Sequence, residues 1–338
     1  MSATEGNGPA TNSGRTGLGK MPGAVKVLIA LAILAAVAFS HLFLPNRWQQ
    51  ISILWAIWAT VGMGWLIILR VGEFSAGQAV FLCIGGYSAA VLMLKFDWPF
   101  WPSLLVSALF CSLVALIVGV IILRLKGLYF LVISIVFAEI VRLTIAASDY
   151  LGSSEGLWGM PIPDKIGFIN FTTKQGWIYL FMAILALASF TFWRMEKSRI
   201  GRIYSYIGAS PDLAQSFGIY FMYYRVQAFV ISAFFTGLVG AAMAVYLGAI
   251  NPEAFTFYYS LVAQIVAILG GVGSIVAGPL LGSLLFTVFD EYLVYIPGAR
   301  SLVMGVLLIA VIFFLPKGLI SLRKRFHERK GAKSLATP

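Results

Sequence analysis

The chain has 338 residues, of which 60% are hydrophobic and only 11% are charged, with a mean hydropathy of +0.92. A water-soluble domain carries roughly 45–50% apolar and about 25% charged residues, so the composition excludes a soluble globule, a disordered chain and a disulfide scaffold. The formal charge of +11 would suggest nucleic acid in a soluble protein, but in a membrane chain it is the signature of loops kept in the cytoplasm, and no nucleic-acid partner is expected.

Residues 1–23 are rich in Gly, Ser, Thr and Asn and read as a disordered cytoplasmic tail. Gly14 to Lys20 resembles a phosphate-binding loop, but Met21 stands where Ser or Thr should hold magnesium. Apolar runs then follow at 24–44, 48–69, 75–94, 100–123, 127–147, 177–193, 224–247, 257–270, 276–292 and 301–316. Most are near the roughly 20 residues that a helix needs to cross a bilayer, and far longer than the strands of a barrel. The fold class is therefore an all-α integral membrane protein, a polytopic helical bundle of about ten transmembrane helices. The run at 75–94 is rich in small residues and falls short of a strict hydropathy criterion. The run at 257–270 is short enough to be a half-helix or re-entrant segment.

Charge orders the spans. With the N-terminus in the cytoplasm, 18 of the 24 Lys and Arg residues fall inside, Arg225 among the loop residues. The loop at 194–224 and the tail at 321–338 are both basic, so both are expected to be cytoplasmic. That requires an even number of crossings. The runs 257–270 and 276–292 both cross, giving ten, or both fail, giving eight. A solvated helix on anionic membrane lipid accounts for the basic tail, at about 1 kcal/mol per Lys or Arg near the surface.

Enzyme chemistry is missing. There is no HExxH, CxxC or GxSxG, and the two histidines, His41 and His327, are far apart. Cys83 and Cys111 lie within apolar runs. No catalytic residue, metal set or cofactor is expected in the chain itself. Glu139 and Arg142 lie within a span, three apart, and so share a helix face and can pair. Each costs roughly 2.5–3.5 kcal/mol alone at mid-helix, so a pair that holds the bundle or lines a substrate path is expected.

Small residues mark close packing. Ser232, Thr236, Gly240, Ala244 and Gly248 recur every four residues, a stripe that lets another backbone approach. Gly278 and Gly282 form a shorter one. Two glycine junctions, Val71 to Gln78 and Gly270 to Pro279, match at Val-Gly and Ala-Gly when offset by 201 positions. Broken hydrophobic segments at corresponding places point to a translocation path, with Ser75, Gly77, Gln78, Glu139, Arg142, Gly273 and Gly278 as candidates.

In the loop 194–224, Ser210-Pro211-Asp212 is a helix start: Ser caps, Pro suits the first position and Asp complements the dipole. Gly218 ends it after about two turns. A basic arm with Arg199 and Arg202 precedes this short helix, which is neither basic nor apolar enough to lie on lipid.

These residues resemble the LivM-type permeases of branched-chain amino acid ABC importers. Ser198-Arg-Ile-Gly-Arg202, Ser210-Pro-Asp-Leu-Ala214 and Phe217-Gly218-Ile219 look like that family's cytoplasmic coupling loop. Gly72-Glu-Phe-Ser75-Ala-Gly77-Gln78 is similar to its Gly-x-x-Ser-Leu-Gly-Gln segment, with Ala76 for Leu. Arg124-Leu-Lys-Gly127-Leu-Tyr129-Phe130, Phe137-Ala138-Glu139-Ile140, Glu155-Gly156-Leu157, Gly159-Met-Pro161 and Pro316-Lys-Gly318-Leu319 match further motifs. Leu269-Gly-Gly271-Val-Gly273 to Gly278-Pro279 matches a Gly-Gly-x-Gly motif with one extra residue before Gly278. The resemblance implies a permease domain over 24–320 in the bacterial inner membrane. It implies a second related permease subunit, two ABC ATPase subunits that carry ATP and magnesium, and an extracytoplasmic substrate-binding protein. It implies a coupling site at Arg199, Arg202, Ser210, Pro211, Asp212, Ala214, Gln215 and Gly218. Leu, Ile and Val are the default substrates, with urea, amides and aromatic acids open. An ion-coupled carrier and a membrane-embedded lipid-modifying transferase are the alternatives.

Overall fold

The computed structural model describes residues 46–125, 127–165 and 170–293. The runs at 24–44 and 301–316 and both tails lie outside the described residues. Within them the elements run α1 (Asn46–Arg70), α2 (Gln78–Lys95), α3 (Phe100–Ile122), α4 (Leu128–Ala146), β1 (Leu157–Trp158), α5 (Lys174–Lys197), α6 (Arg199–Ala209), α7 (Pro211–Ser216), α8 (Phe221–Leu247), β2 (Ala249–Ile250), α9 (Phe257–Gly270) and α10 (Ala277–Leu293). Among the described residues, seven segments are long and apolar enough to cross a membrane. The chain is a multi-pass helical membrane protein.

The segment 75–94 meets that criterion as α2 despite its small residues. The run at 257–270 forms a helix of 14 residues, and a short turn precedes it. Pro252–Ala254 forms a 3₁₀ turn in which Asn251 accepts from the Glu253 N–H at 2.7 Å, so Pro252–Gly270 makes a 19-residue apolar segment. A polar cap satisfies the backbone there, and the apolar stretch runs on.

The bundle has two distinct ends. At one, β1 and β2 pair antiparallel, Leu157 opposite Ile250 and Trp158 opposite Ala249. Near it the Lys95 ammonium stands 5.3 Å from the Tyr150 ring centroid, and Tyr246 donates to Gln50 at 2.8 Å. At the other end lie α6, α7, Arg70 and the turn between α9 and α10. Here Arg70 donates to the Gly273 carbonyl at 2.7 Å and approaches Glu196 at 3.7 Å, while Glu196 accepts from Ser274 at 3.2 Å.

The small-residue stripe sits where α2 crosses α8. A Cβ on Gly240 would lie 2.3 Å from the Leu82 carbonyl oxygen, and one on Gly85 would lie 2.2 Å from that of Gly237. Backbone contact this close leaves no room for a side chain, which is how helices associate where lipid already solvates their apolar faces. Gly248 belongs to something else: at φ +68° it is the left-handed cap that ends α8. Outside this core, α3 exposes Leu105, Leu109, Leu113 and Ile117, and α4 exposes Val132, Val136, Ile140 and Leu143. Such apolar stripes belong against lipid or another apolar surface.

Candidate translocation and coupling site

The chain between α1 and α2 is not helical, and it turns back into the bundle. Gly72 takes φ +86° to start the turn. The Ser75 carbonyl then accepts from Trp65 Nε1 at 2.7 Å and from Gln264 Nε2 at 3.4 Å. Trp65 lies roughly 7–8 Å of helical rise before the end of α1, so the segment descends well below that end. The Ala76 N–H donates to Ser134 Oγ at 3.0 Å, and the Ala79 N–H donates to Ser260 Oγ at 2.9 Å. Gly77 passes under α4 so closely that a Cβ would sit 2.4 Å from the Ser134 carbonyl oxygen. Irregular backbone survives at membrane depth only when neighbouring elements satisfy it, and here α1, α4 and α9 do so.

Gln78 opens α2. Its amide donates to Ser232 at 2.9 Å and to Thr236 at 2.7 Å, both on α8. Its side-chain carbonyl is buried and accepts no hydrogen bond from the described residues. Ser75, Gly77, Gln78, Ser232 and Thr236 therefore form one polar cluster inside an apolar bundle. Ser232 and Thr236 carry hydrogen bonds as well as close packing; Gly240 and Ala244, further along α8, are packing positions only.

The other path candidates lie elsewhere. Arg142 does pair with Glu139, through Nε at 3.1 Å, but it also reaches Glu253 at 3.1 Å. The group sits near the hairpin end, because α4 finishes at Ala146, about one turn beyond Arg142. Both residues lie within the span, Glu139 two residues past the middle of α4, and Glu139 is 47% exposed. Gly273 is exposed in the turn beside Arg70, at the opposite end, while Gly278 packs inside, its Cβ position 2.2 Å from the Gly271 carbonyl oxygen.

A buried ion pair joins the unwound segment to α8. Glu73 and Arg225 approach to 2.6 Å, with side chains 1% and 3% exposed. The Arg225 guanidinium also stacks on the Phe221 ring at 5.1 Å. Sequence reasoning missed this pair by assigning Arg225 to a loop. Because α8 begins at Phe221, Arg225 falls in its second turn, inside the protein. The signal was present: Glu73 is the one acid of its junction, flanked by spans, and an acid so placed needs a base.

The connection between α5 and α8 is shorter and more structured than the loop 194–224 expected. It spans 198–220 and contains two helices. Ser198 caps α6, accepting from Ile200 at 3.1 Å and Gly201 at 3.4 Å. The arm carrying Arg199 and Arg202 is thus helical, with both arginines exposed and Tyr204 and Ile207 buried on the other face. Tyr204 donates to Gln227 at 3.2 Å, and burial raises its phenol above its ordinary pKa. Ser210 caps α7, accepting from Leu213 at 3.3 Å, with Pro211 at the first position and Asp212 in the first turn. Gly218, at φ +77°, ends it: its N–H donates to Gln215 at 2.9 Å and that of Ile219 to Ala214 at 3.1 Å. These two bonds are the Schellman closure, which a left-handed glycine permits. Ala214 is buried against the bundle, whereas Asp212, Leu213, Gln215 and Phe217 face outward.

The family described as branched-chain amino acid transport system / permease component matches residues 48–312. The chain belongs to this permease family. Two relatives are high-affinity branched-chain amino acid transport system permease proteins LivM. That of Escherichia coli K12 is 27% identical over 334 residues, covering 91% of this chain and 78% of the relative. That of Salmonella typhimurium LT2 is 26% identical over 325 residues, covering 89% and 76%. No solved structure gives a significant match. As a permease component, the chain is part of a transport system with further components rather than a catalytic enzyme.

Proposed function

We propose that this permease carries branched-chain or chemically related amino acids across the bacterial inner membrane, using ATP hydrolysed by partner subunits. In this reading the chain crosses ten times over residues 24–320, with both termini and the basic tail at 321–338 in the cytoplasm. A second permease subunit completes the path, two ABC ATPases bind ATP and magnesium below, and an outer binding protein delivers substrate. The observation that carries it is the pair of capped helices α6 and α7, packed on the end of the bundle where Arg70, Arg124, Arg194, Lys197, Arg199 and Arg202 gather. A short helix with an outward polar and aromatic face, anchored by one buried alanine, suits docking into a groove on another protein.

The polar cluster of Ser75, Gly77, Gln78, Ser232 and Thr236 is the favoured place for substrate to pass, since it is the unwound part of an otherwise apolar bundle. The unused Gln78 carbonyl supports this. Glu139 and Arg142 guard the hairpin end, taken as the outer mouth. Transport follows alternating access: ATP binding closes the ATPases, α7 moves with them, and differential contacts in the two states tilt the spans.

The test is reconstitution. The chain, purified with its ATPases and paired permease in liposomes, should show ATP hydrolysis stimulated by the binding protein and uptake of labelled leucine. Uptake that follows an ion gradient without ATP would overturn the proposal. Sidedness has its own check: a cysteine at Lys165 should react with an impermeant thiol reagent in intact spheroplasts, and a reporter after Lys330 should be cytoplasmic.

A further inference from the structure

The structure ties α6 to the unwound segment by backbone contact. Gly208, in the last turn of α6, lies so close to the end of α1 that a Cβ there would be 2.3 Å from the Arg70 carbonyl oxygen and 3.3 Å from the Gly72 nitrogen. In the reverse direction, a Cβ on Gly72 would be 3.2 Å from Gly208 Cα. The next residue is Glu73, whose carboxylate meets Arg225 at 2.6 Å. Arg225 stands in the second turn of α8, which follows α7 after only the short link 217–220. The α6–α7 junction therefore packs on Gly72, and the start of α8, just beyond α7, holds the adjacent Glu73 by charge. Two residues further along, Ser75 enters the polar cluster.

A buried ion pair is a poor stability device, because well-packed apolar residues of similar volume usually serve as well or better. It is a good mechanical one. Its geometry is directional and its partners cannot slide past each other without stranding a charge. Resting on the coupling role proposed above for α6 and α7, we infer that Glu73 and Arg225 are the positioning pair through which displacement of this element reaches the unwound segment 71–77. Movement of α7 shifts the first turns of α8. Arg225 then draws Glu73, and the hydrogen bonds of Ser75 and Gln78 rearrange in turn.

The test uses the full complex in liposomes, with two double variants, E73L/R225M and the exchange E73R/R225E. Removal of both charges avoids stranding either, so the apolar pair should insert at normal level and keep its ATPases. It should also hydrolyse ATP at near the normal rate. Substrate moved per ATP should fall roughly tenfold, the size of an ordinary coupling between two sites. The exchange should recover part of that loss. A second readout needs no transport. Phe74 is 37% exposed beside the pair and packs on Trp65 at 5.1 Å. In F74C, labelling by a thiol reagent should differ between the nucleotide-free complex and the vanadate-trapped one, and that difference should vanish when E73L/R225M is added. Normal transport per ATP in E73L/R225M, or equal F74C labelling in the two wild-type-background states, overturns the inference. If the double variants fail to insert, F74C in the otherwise unchanged complex decides: equal labelling in the two states overturns the inference, and state-dependent labelling supports it. Failure of the coupling reading looks different: cysteines at Gln215 would then give no cross-link to the ATPase subunit, whatever residues 73 and 225 do.

Discussion

Two acid–base pairs of this permease invite comparison. Glu139 and Arg142 lie three residues apart on one helix, near the hairpin end, with Glu139 47% exposed and Glu253 as a further partner. Glu73 and Arg225 are 152 positions apart, at the opposite end, and both are almost wholly buried. The first pair is redundant and tolerant, since either carboxylate can hold Arg142. The second joins a non-helical segment to a helix, and the other charge would stay buried if one were removed. Sequence spacing exposes the local pair and conceals the distant one, although the distant one holds more of the architecture.

The comparison breaks most sharply if single truncations behave alike. Arg225→Ala removes a buried partner of the Glu73 carboxylate, and removal of one partner from a buried pair costs about 3–5 kcal/mol. Folded permease in the membrane should be nearly absent by quantitative blotting. Gly240→Leu should come next, because its side chain would have to enter the Leu82 backbone 2.3 Å away. Overpacking typically costs about 1–3 kcal/mol, so reduced levels and a lower melting temperature are expected, with substrate preference unchanged in the protein that remains.

Gly218→Pro tests the α6–α7 end without touching either pair. Proline fixes φ near −65°, whereas Gly218 needs +77°, and it also removes the N–H that closes on Gln215. The permease should stay in the membrane at near-normal level while ATPase co-purification weakens and uptake is lost. Glu139→Gln should have the smallest effect. Arg142 keeps Glu253, and partly exposed pairs contribute about 0–1 kcal/mol. Protein level should be unchanged within error. A large loss there would erase the contrast between the two ends.

Much of the fold was legible because apolar length and charge act locally. The run 48–69 became Asn46–Arg70, and 100–123 became Phe100–Ile122, with boundaries set by a terminal Arg and by prolines. The cap at Ser210 and the stop at Gly218 were legible too, as both are made by neighbours in sequence. Helix α6 was not. Gly201 and Gly208 make its sequence look like a loop, yet each is required by backbone contact, with Met195 and with Arg70. The polar cluster was half-visible: Ser75, Gly77 and Gln78 stood out as a junction, but Ser232 and Thr236 read only as packing. Nothing local says that Gln78 would bond to them.

The distance along the chain between Glu73 and Arg225 also has a meaning in time. A ribosome adds about 5–20 residues per second, so Arg225 emerges roughly 8–30 s after Glu73. During that interval the acid lacks the guanidinium that it meets in the finished protein, and an ionised carboxylate in hydrocarbon is expensive. The segment between α1 and α2 is therefore expected to take its final place only once α8 has been made. On that expectation, one of the most internal parts of the finished protein is among the last to be closed.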